Sequence, residues 1–268
     1  MAFDLSSISS GTRNRAPRIV LLGVEKIGKS TFAAGASNPI FIPIKGEEGI
    51  DSIDVAKFPT CNTIEDLFQC FSTLHQERHE YGTVVIDSAS ALEPVGWEDV
   101  CMRNVDKNGN IRPVKSIEEV GGGYAKGYIE ALSIWRRITE SLDFLRNTKE
   151  MASIIVGHVK IKRFDDPSGD SFDQYQFDIH EKAANLLYRW ADVILFANTK
   201  VVVKKEDTGF GKENRRGIDI TNGARFLYTQ KRPAHPGGGR GVYGRLPYEL
   251  PLSWDNFMDA VAAEINKQ

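Results

Sequence analysis

Two glycines, a lysine and a serine between residues 23 and 30 are the residues whose types and spacing best predict chemistry. Gly23, Gly28, Lys29 and Ser30 follow the pattern Gly-x-x-x-x-Gly-Lys-Ser. The glycines let a loop turn tightly and point its N–H groups at phosphate oxygens. The lysine reaches the β- and γ-phosphates, and the hydroxyl after it ligates Mg²⁺. The whole predicted nucleotide site is Gly23, Val24, Glu25, Lys26, Ile27, Gly28, Lys29, Ser30 and Thr31.

The segments around this loop are the ones that a phosphate site requires. Residues 19–22 form an apolar run that predicts a buried strand, and residues 31–34 predict the start of a helix. Strand, loop and helix in this order place the phosphates at a helix N-terminus, which carries partial positive charge. A bound nucleoside triphosphate is therefore expected, but the loop alone does not say how it is used.

An aspartate ends a second apolar run farther along the chain. Residues 83–86 predict a buried strand, and Asp87 follows at its carboxyl end. Downstream of a phosphate loop, an aspartate in this position holds Mg²⁺, usually through water. Ser30 and Asp87 are therefore the predicted metal-binding residues.

Further polar side chains follow two other predicted strands. Glu47 and Glu48 come after the apolar residues 40–44, and His158 ends the apolar residues 152–157. Side chains just past the carboxyl ends of strands in an α/β sheet lie in the crevice where ligands bind. A glutamate there can orient a water for attack on the γ-phosphate, or the pair can form a solvated acidic turn. His158 can sense the γ-phosphate or serve the structure alone.

Two segments outside the loop combine basic and flexible residues. Lys160, Lys162 and Arg163 precede a polar, acidic run at residues 165–170, which predicts a long loop of the kind that moves or carries function.

The second segment, residues 121–128, is rich in glycine and aromatic residues and precedes a long helix. Tyr124, Lys126 and Tyr128 in it can stack on bases and contact a phosphate of single-stranded DNA. The same residues can instead form a hinge with packed tyrosines, and the residues alone leave both interpretations open.

The remaining patterns predict three parts of the chain. Residues 1–16 predict a flexible N-terminal arm, and residues 17–198 an ATPase core that includes helices at 63–76 and 181–190 and a strand at 192–197. Residues 199–268 predict an extension of antiparallel strands, with a last helix capped by Ser253. Within residues 199–245, eleven Lys/Arg face four Asp/Glu, a local net charge of +7 that suits a phosphate backbone.

Composition limits the class of protein. The 268 residues are 41% hydrophobic and 26% charged, with a net charge of −2, which is ordinary for a globular protein with a sizeable core. The three cysteines show no Cys-x-x-Cys spacing and are expected to be small apolar residues in a reducing compartment. With no membrane-length apolar run and no signal-peptide pattern, a cytoplasmic location is expected.

The order of these motifs resembles the RecA-like core ATPases. Residues 127–146, 154–167 and 190–197 more closely resemble phage-encoded nucleotide-binding proteins of the AAA-domain type, which include Sak-type single-strand annealing proteins. The resemblance covers most of residues 17–250, and residues 158–167 are its most specific part. It implies an α/β fold: a mainly parallel sheet flanked by helices, with a C-terminal antiparallel β-hairpin extension.

The resemblance also implies roles for individual residues. In RecA-like proteins a Glu-x-Gly-apolar sequence supplies the catalytic base, which selects Glu47 over Glu48 here. The strand that ends in His158 would lie between the strands of the phosphate loop and Asp87, bringing His158 to the γ-phosphate. DNA would be held by the Tyr124, Lys126, Tyr128 and Lys160, Lys162, Arg163 regions. Lys231 and Arg232 would reach a neighbouring subunit's ATP.

The function implied is that of a DNA-stimulated, Mg²⁺-dependent ATPase in phage recombination or replication. It would form a homo-oligomeric ring or filament in the host cytoplasm, bind single-stranded DNA, cooperate with a single-strand-binding protein and contact no membrane. RecA's separate N- and C-terminal domains are lacking in this chain, so annealing is expected rather than full strand exchange. Alternatives are an ATP-dependent helicase loader or non-hydrolysing nucleotide-binding module, and a P-loop small-molecule kinase.

Overall fold

The computed structural model describes residues 4, 8, 10, 11, 15–47, 49–166, 169–207, 213–219 and 222–267, with 201–207 and 213–219 as backbone only. Most of the predicted arm, and Glu48, lie outside the described residues. The strands are β1 Arg18–Gly23, β2 Pro39–Pro43, β3 Ala56–Lys57, β4 Thr83–Asp87, β5 Ala152–Gly157, β6 Val159–Phe164, β7 Phe172–Phe177, β8 Val193–Thr199, β9 Val201–Asp207, β10 Glu213–Asp219, β11 Arg225–Tyr228, β12 Gly238–Gly239 and β13 Glu249–Pro251. The helices are α1 Lys29–Ala34, α2 Ile64–Gln76, α3 Ala89–Met102, α4 Lys126–Thr148, α5 Glu181–Trp190 and α6 Trp254–Ile265.

A mostly parallel sheet forms the centre of the described chain. Its strand order is β13-β11-β8-β1-β5-β4-β2-β3, with β12 also paired to β8. Strands β8, β1, β5, β4, β2 and β3 are parallel to one another, while β11 and β13 are antiparallel additions. The predicted fold class, including the position of β5 between β1 and β4, is confirmed.

Helices cover both faces of this sheet because each central strand is apolar on both sides. In β1, Val20 and Leu22 pack toward α2, α3, α4 and α5, whereas Ile19 and Leu21 pack toward α1 and α6. All four side chains are fully buried. The parallel strands are therefore held rigidly, and their carboxyl ends form one fixed edge.

Two helix starts were predicted from capping residues. At α2 the Thr63 hydroxyl accepts a hydrogen bond from the Asp66 backbone N–H at 3.1 Å, and the Asp66 carboxylate accepts one from the Thr63 N–H at 2.9 Å, so the predicted capping box is present. Ser253 occupies the cap position of α6, but its side chain makes no capping hydrogen bond.

The segment after His158 differs from the prediction. Instead of a long loop, β6 and β7 form a hairpin in which Ile161 is opposite Tyr175 and Arg163 is opposite Asp173. Apolar or aromatic side chains at every second position, 159 and 161 in β6 and 175 and 177 in β7, provide the period of two that is typical of a strand. The charges between them concealed that period in the sequence.

The last third of the chain adds antiparallel strands, as predicted. β9 and β10 pair into a separate hairpin, while β11 joins the main sheet beside β8.

Helix α3 was not predicted: apolar residues lie all around it and Pro94 interrupts its pattern, so no amphipathic period marks it. Among the described residues, no helix has the length and apolar character needed to cross a bilayer.

Candidate nucleotide-binding site

The Gly-Lys-Ser loop joins β1 to α1 with backbone angles that select glycine. Gly28 has φ +106°, in the left-handed region. A Cβ atom on Gly23 would lie 2.6 Å from the Ala197 carbonyl oxygen on the neighbouring strand, closer than packing permits. Both glycines of the pattern are therefore required by the fold of the loop itself.

Lys29 points back into this loop. Its ammonium donates hydrogen bonds to the Gly23 carbonyl at 3.0 Å and the Val24 carbonyl at 2.8 Å. Burial of the side chain lowers the pKa of Lys29 to about 8, although Asp87 and Glu47 lie close enough to oppose that shift. A buried ammonium whose shortest hydrogen bonds go to neutral carbonyls is poised to exchange them for phosphate oxygens.

Ser30 and Asp87 meet on the other side of Lys29. The Ser30 hydroxyl donates a hydrogen bond to Asp87 Oδ2 at 2.6 Å, and burial is the main cause of a raised Asp87 pKa. Mg²⁺ with nucleotides takes one or two such hard oxygen ligands, and waters and phosphates supply the rest. The pair fits that ion, although the described part of the chain has no group of three His, Cys, Asp or Glu side chains arranged to hold a metal ion by themselves.

Glu47, His158 and Lys29 form a chain of hydrogen bonds. His158 Nε2 lies 2.8 Å from Glu47 Oε1, and Lys29 Nζ lies 3.4 Å from His158 Nδ1. Because an ammonium can only donate, Nδ1 must accept, and Nε2 must carry the proton that is donated to Glu47. The neighbours thus fix one neutral tautomer of His158.

The Glu47 carboxylate is held in its ionised form. Its pKa is lowered first by the hydrogen bond from His158 and further by one from the Ser88 hydroxyl at 2.7 Å. Both hydrogen bonds end on Oε1, and no described residue donates one to Oε2. An ionised carboxylate with one oxygen fixed and one available can orient and deprotonate a water.

A cavity of about 940 Å³ unites these side chains. This volume is at the upper end of the range for small-molecule sites, which is enough for a nucleotide. The predicted residues that line it are 25–31 together with Glu47, Asp87 and His158. Arg225 also lines it but was missed, because nothing local distinguishes that residue from other basic residues in the extension.

The basic hairpin β6–β7 begins at this cavity. The Asp178 N–H donates to the His158 carbonyl at 3.0 Å, closing the base of the hairpin. Lys160 forms an ion pair with Asp178 at 3.2 Å. Lys160, Lys162 and Lys231 line a second cavity of about 720 Å³ between the hairpin and α5. The first predicted DNA-binding group thus lies on an element tied to His158.

The residues of the second predicted DNA-binding group, Tyr124, Lys126 and Tyr128, differ in their accessibility. Tyr124 is 95% exposed, so its ring is accessible to a base. Tyr128 instead stacks on His180, with ring centres 4.4 Å apart, and Lys126 donates a hydrogen bond to the Gly121 carbonyl at 2.9 Å. A base can reach that face of Tyr128 only by displacing His180.

The predicted trans-acting residues lie away from the nucleotide cavity of their own chain. The Arg232 guanidinium sits 4.4 Å above the Tyr248 ring, and Lys231 borders the second cavity. Neither lines the first cavity. Their action on a neighbouring subunit stays a prediction.

Sequence reasoning also missed Glu93. It is buried on α3, and both carboxylate oxygens lie 2.8 Å from the His180 N–H, just before α5. Burial raises the pKa of Glu93 to about 7. A charged residue inside an unpredicted helix gives no sequence signal, because its partner, the His180 N–H, lies 87 residues away in the chain.

The raised pKa of Glu93 predicts a pH-dependent stability. The folded state binds this proton more tightly than the unfolded state, so the contribution to stability is present below about pH 4.5 and is lost as pH rises toward 7. Glu93→Gln should gain up to about 3 kcal/mol over the wild type between pH 4.5 and pH 8. Urea unfolding at both pH values measures this gain. Exposed Glu130→Gln is the control, and equal behaviour of the two variants would refute the prediction.

A family described as an AAA domain matches residues 15–241. No curated protein matches the chain. The matched range includes the phosphate loop, Glu47, Asp87, His158 and the basic hairpin.

Proposed function

The chain belongs to the AAA-domain family of nucleotide-binding P-loop ATPases, and from this premise we propose that it binds and hydrolyses ATP to control single-stranded DNA annealing and recombination in phage DNA metabolism. One observation carries the proposal. Lys29, Asp87 and Glu47 converge on one cavity, and the basic hairpin starts at that same cavity. His158 therefore connects the nucleotide cavity to the candidate DNA-binding hairpin.

Each site residue has a distinct task in hydrolysis. Lys29 and the loop N–H groups would hold the β- and γ-phosphates, and Ser30 with Asp87 would hold Mg²⁺. When bound, Mg²⁺ supplies charge neutralisation on the phosphate oxygens. Glu47 Oε2 would orient a water in line with the γ-phosphorus and take its proton, while Ser88 and His158 hold the other carboxylate oxygen.

His158 would connect the phosphate to the hairpin. Lys29 must turn toward phosphate when ATP binds, which breaks its contact with His158 Nδ1. The His158 carbonyl is tied to Asp178, so a shift of His158 moves the base of the hairpin. ATP and ADP states would then present the hairpin differently to DNA.

Charge supports single-stranded DNA as the partner. Lys162 and Arg163 project from β6 as exposed side chains, and no carboxylate among the described side chains forms an ion pair with either. Exposed Tyr124 offers a stacking surface. We infer a homo-oligomer acting with a single-strand-binding protein in the cytoplasm of a bacterial host.

The double variant Lys162→Ala/Arg163→Ala tests this DNA-binding function. It should weaken binding of a fluorescent oligonucleotide and reduce the salt dependence by about 1.4 in the slope of log K against log salt, since two phosphate contacts are lost. Titrations of both proteins with and without ATP at two salt concentrations measure this.

The control removes equal charge at the opposite edge of the sheet. Arg78→Ala/Lys149→Ala should leave both affinity and slope close to those of the wild type, because α2 and α4 end there, away from β6. If the wild type binds no single-stranded DNA, or binds it without salt dependence, the nucleic-acid function is excluded.

A further inference from the structure

Arg225 has no role in the function proposed above, although the fold places it at the phosphate loop. It is the first residue of β11, which runs antiparallel to β8, with Arg225 opposite Thr199. The start of β11 therefore lies at the carboxyl edge of the parallel strands. A Cβ atom on Gly28 would be only 2.9 Å from Arg225 Nη1, so the guanidinium lies directly against the loop.

None of the described carboxylates neutralises the charge of Arg225. Its side chain is exposed, and no carboxylate among the described side chains lies within ion-pair distance of it. Two carboxylates of the site already have other partners: Asp87 accepts from Ser30, and Glu47 accepts from Ser88 and His158. An arginine beside a phosphate loop without an acidic partner is suited to a phosphate oxygen.

The strand order determines which phosphate of the nucleotide Arg225 can contact. Along the edge the order is β11, β8, β1, β5, β4, β2. Glu47 follows β2 and Asp87 ends β4, so the water-activating and metal-binding groups lie on one flank of Lys29. Arg225 lies on the other flank. If the γ-phosphate faces Glu47, the α-phosphate and the nucleoside must extend toward β8 and β11.

We propose that Arg225 binds the α-phosphate of the nucleotide in its own chain. This inference rests on the proposed nucleotide site, but it adds a contact that neither the Gly-Lys-Ser pattern nor the hydrolysis steps require. Because ATP and ADP both carry the α-phosphate, Arg225 would strengthen both complexes equally. It would contribute to nucleotide affinity and not to the hydrolytic step.

Titration calorimetry with Mg²⁺-ATP and Mg²⁺-ADP tests the proposal. Arg225→Ala should weaken both nucleotides by the same factor, about 10-fold or more, which is typical for a charge-assisted hydrogen bond. Arg225→Lys keeps the charge and should bind both nucleotides more tightly than Arg225→Ala. Arg112→Ala, at an exposed arginine outside the cavity, is the matched control and should bind both as the wild type does.

Each other outcome overturns the inference. Unchanged affinity would show that Arg225 does not touch the nucleotide, and weaker binding of ATP alone would assign it to the γ-phosphate. Equal loss in Arg225→Ala and Arg225→Lys would indicate stacking on the base. Lys29→Met in the same titration distinguishes failure of the proposed nucleotide site from failure of the Arg225 contact. If Lys29→Met lowers the affinity for ATP and Arg225→Ala does not, the nucleotide site stands and only the inference about Arg225 fails.

Discussion

Lys29→Met should lower the affinity for ATP by about 100-fold or more. The ammonium is buried, and its shortest hydrogen bonds go to the neutral Gly23 and Val24 carbonyls, so a polyphosphate gains a nearly desolvated charge pair when it displaces them. Methionine keeps the length of the side chain and removes the charge. Titration calorimetry or a fluorescent ATP analogue measures the loss.

A loss of folding can be separated from a loss of binding. Burial lowers the pKa of Lys29 to about 8, so the folded state is destabilised by this charge at neutral pH. The variant should therefore melt no lower than the wild type. Lys115→Met, at an exposed lysine outside the nucleotide cavity, is the matched control. ATP affinity that survives Lys29→Met would refute the phosphate-binding role.

The same lysine predicts how ATP binding depends on pH. A bound phosphate stabilises the charged ammonium, so the pKa of Lys29 must be higher in the complex than its value of about 8 in the free protein. Above pH 8 the free protein has to take up a proton to bind. The dissociation constant should then rise by up to about tenfold per pH unit, and in Lys29→Met this rise should be absent.

The parts of the fold that could be predicted are those with a local cause. The phosphate loop needs glycine at positions 23 and 28 whatever the rest of the chain does, and the buried parallel strands are continuous apolar runs. These two facts identified the sheet edge on which Lys29, Asp87 and His158 meet. The capping box at Thr63 is equally local, since its two partners are three residues apart.

The parts that escaped prediction depend on contacts between distant segments. Arg225 reaches Gly28 only because β11 turns back beside β8, and no local pattern encodes that pairing. Glu93 resembles an ordinary surface acid in the sequence, but it is buried and accepts hydrogen bonds from the distant His180 N–H. In the β6–β7 segment, alternating charges hid a strand period of two. Long-range packing, and not residue preference, therefore decided each of these features.

Glu47→Gln should lower the rate of ATP hydrolysis by about 100-fold or more, with little change in ATP affinity. Glutamine keeps the hydrogen bond from Ser88 but cannot remove a proton from water. Lys29→Met and Glu47→Gln therefore separate binding from chemistry: Lys29→Met should lose ATP binding, and Glu47→Gln should lose ATP hydrolysis. Single-turnover measurements of phosphate release, beside nucleotide titrations, distinguish them.

Glu48→Gln provides the sharpest comparison, because it makes the same change one residue away. Hydrolysis should survive in Glu48→Gln if Glu47 is the base, and the opposite result would transfer that role to Glu48. If both variants and the wild type show the same effect of ATP on DNA affinity and none of them hydrolyses ATP, a non-hydrolysing loader or switch is favoured. In that case ATP binding alone would determine the position of the hairpin. ADP formation that needs a small-molecule acceptor, leaves the phosphoryl group on that acceptor and is independent of DNA would favour a kinase. His158→Ala removes the ring that links Lys29 to Glu47 but keeps the backbone carbonyl that closes the hairpin base. The variant should therefore slow hydrolysis and also weaken the effect of ATP on DNA affinity, a pair of losses that a purely structural histidine would not produce.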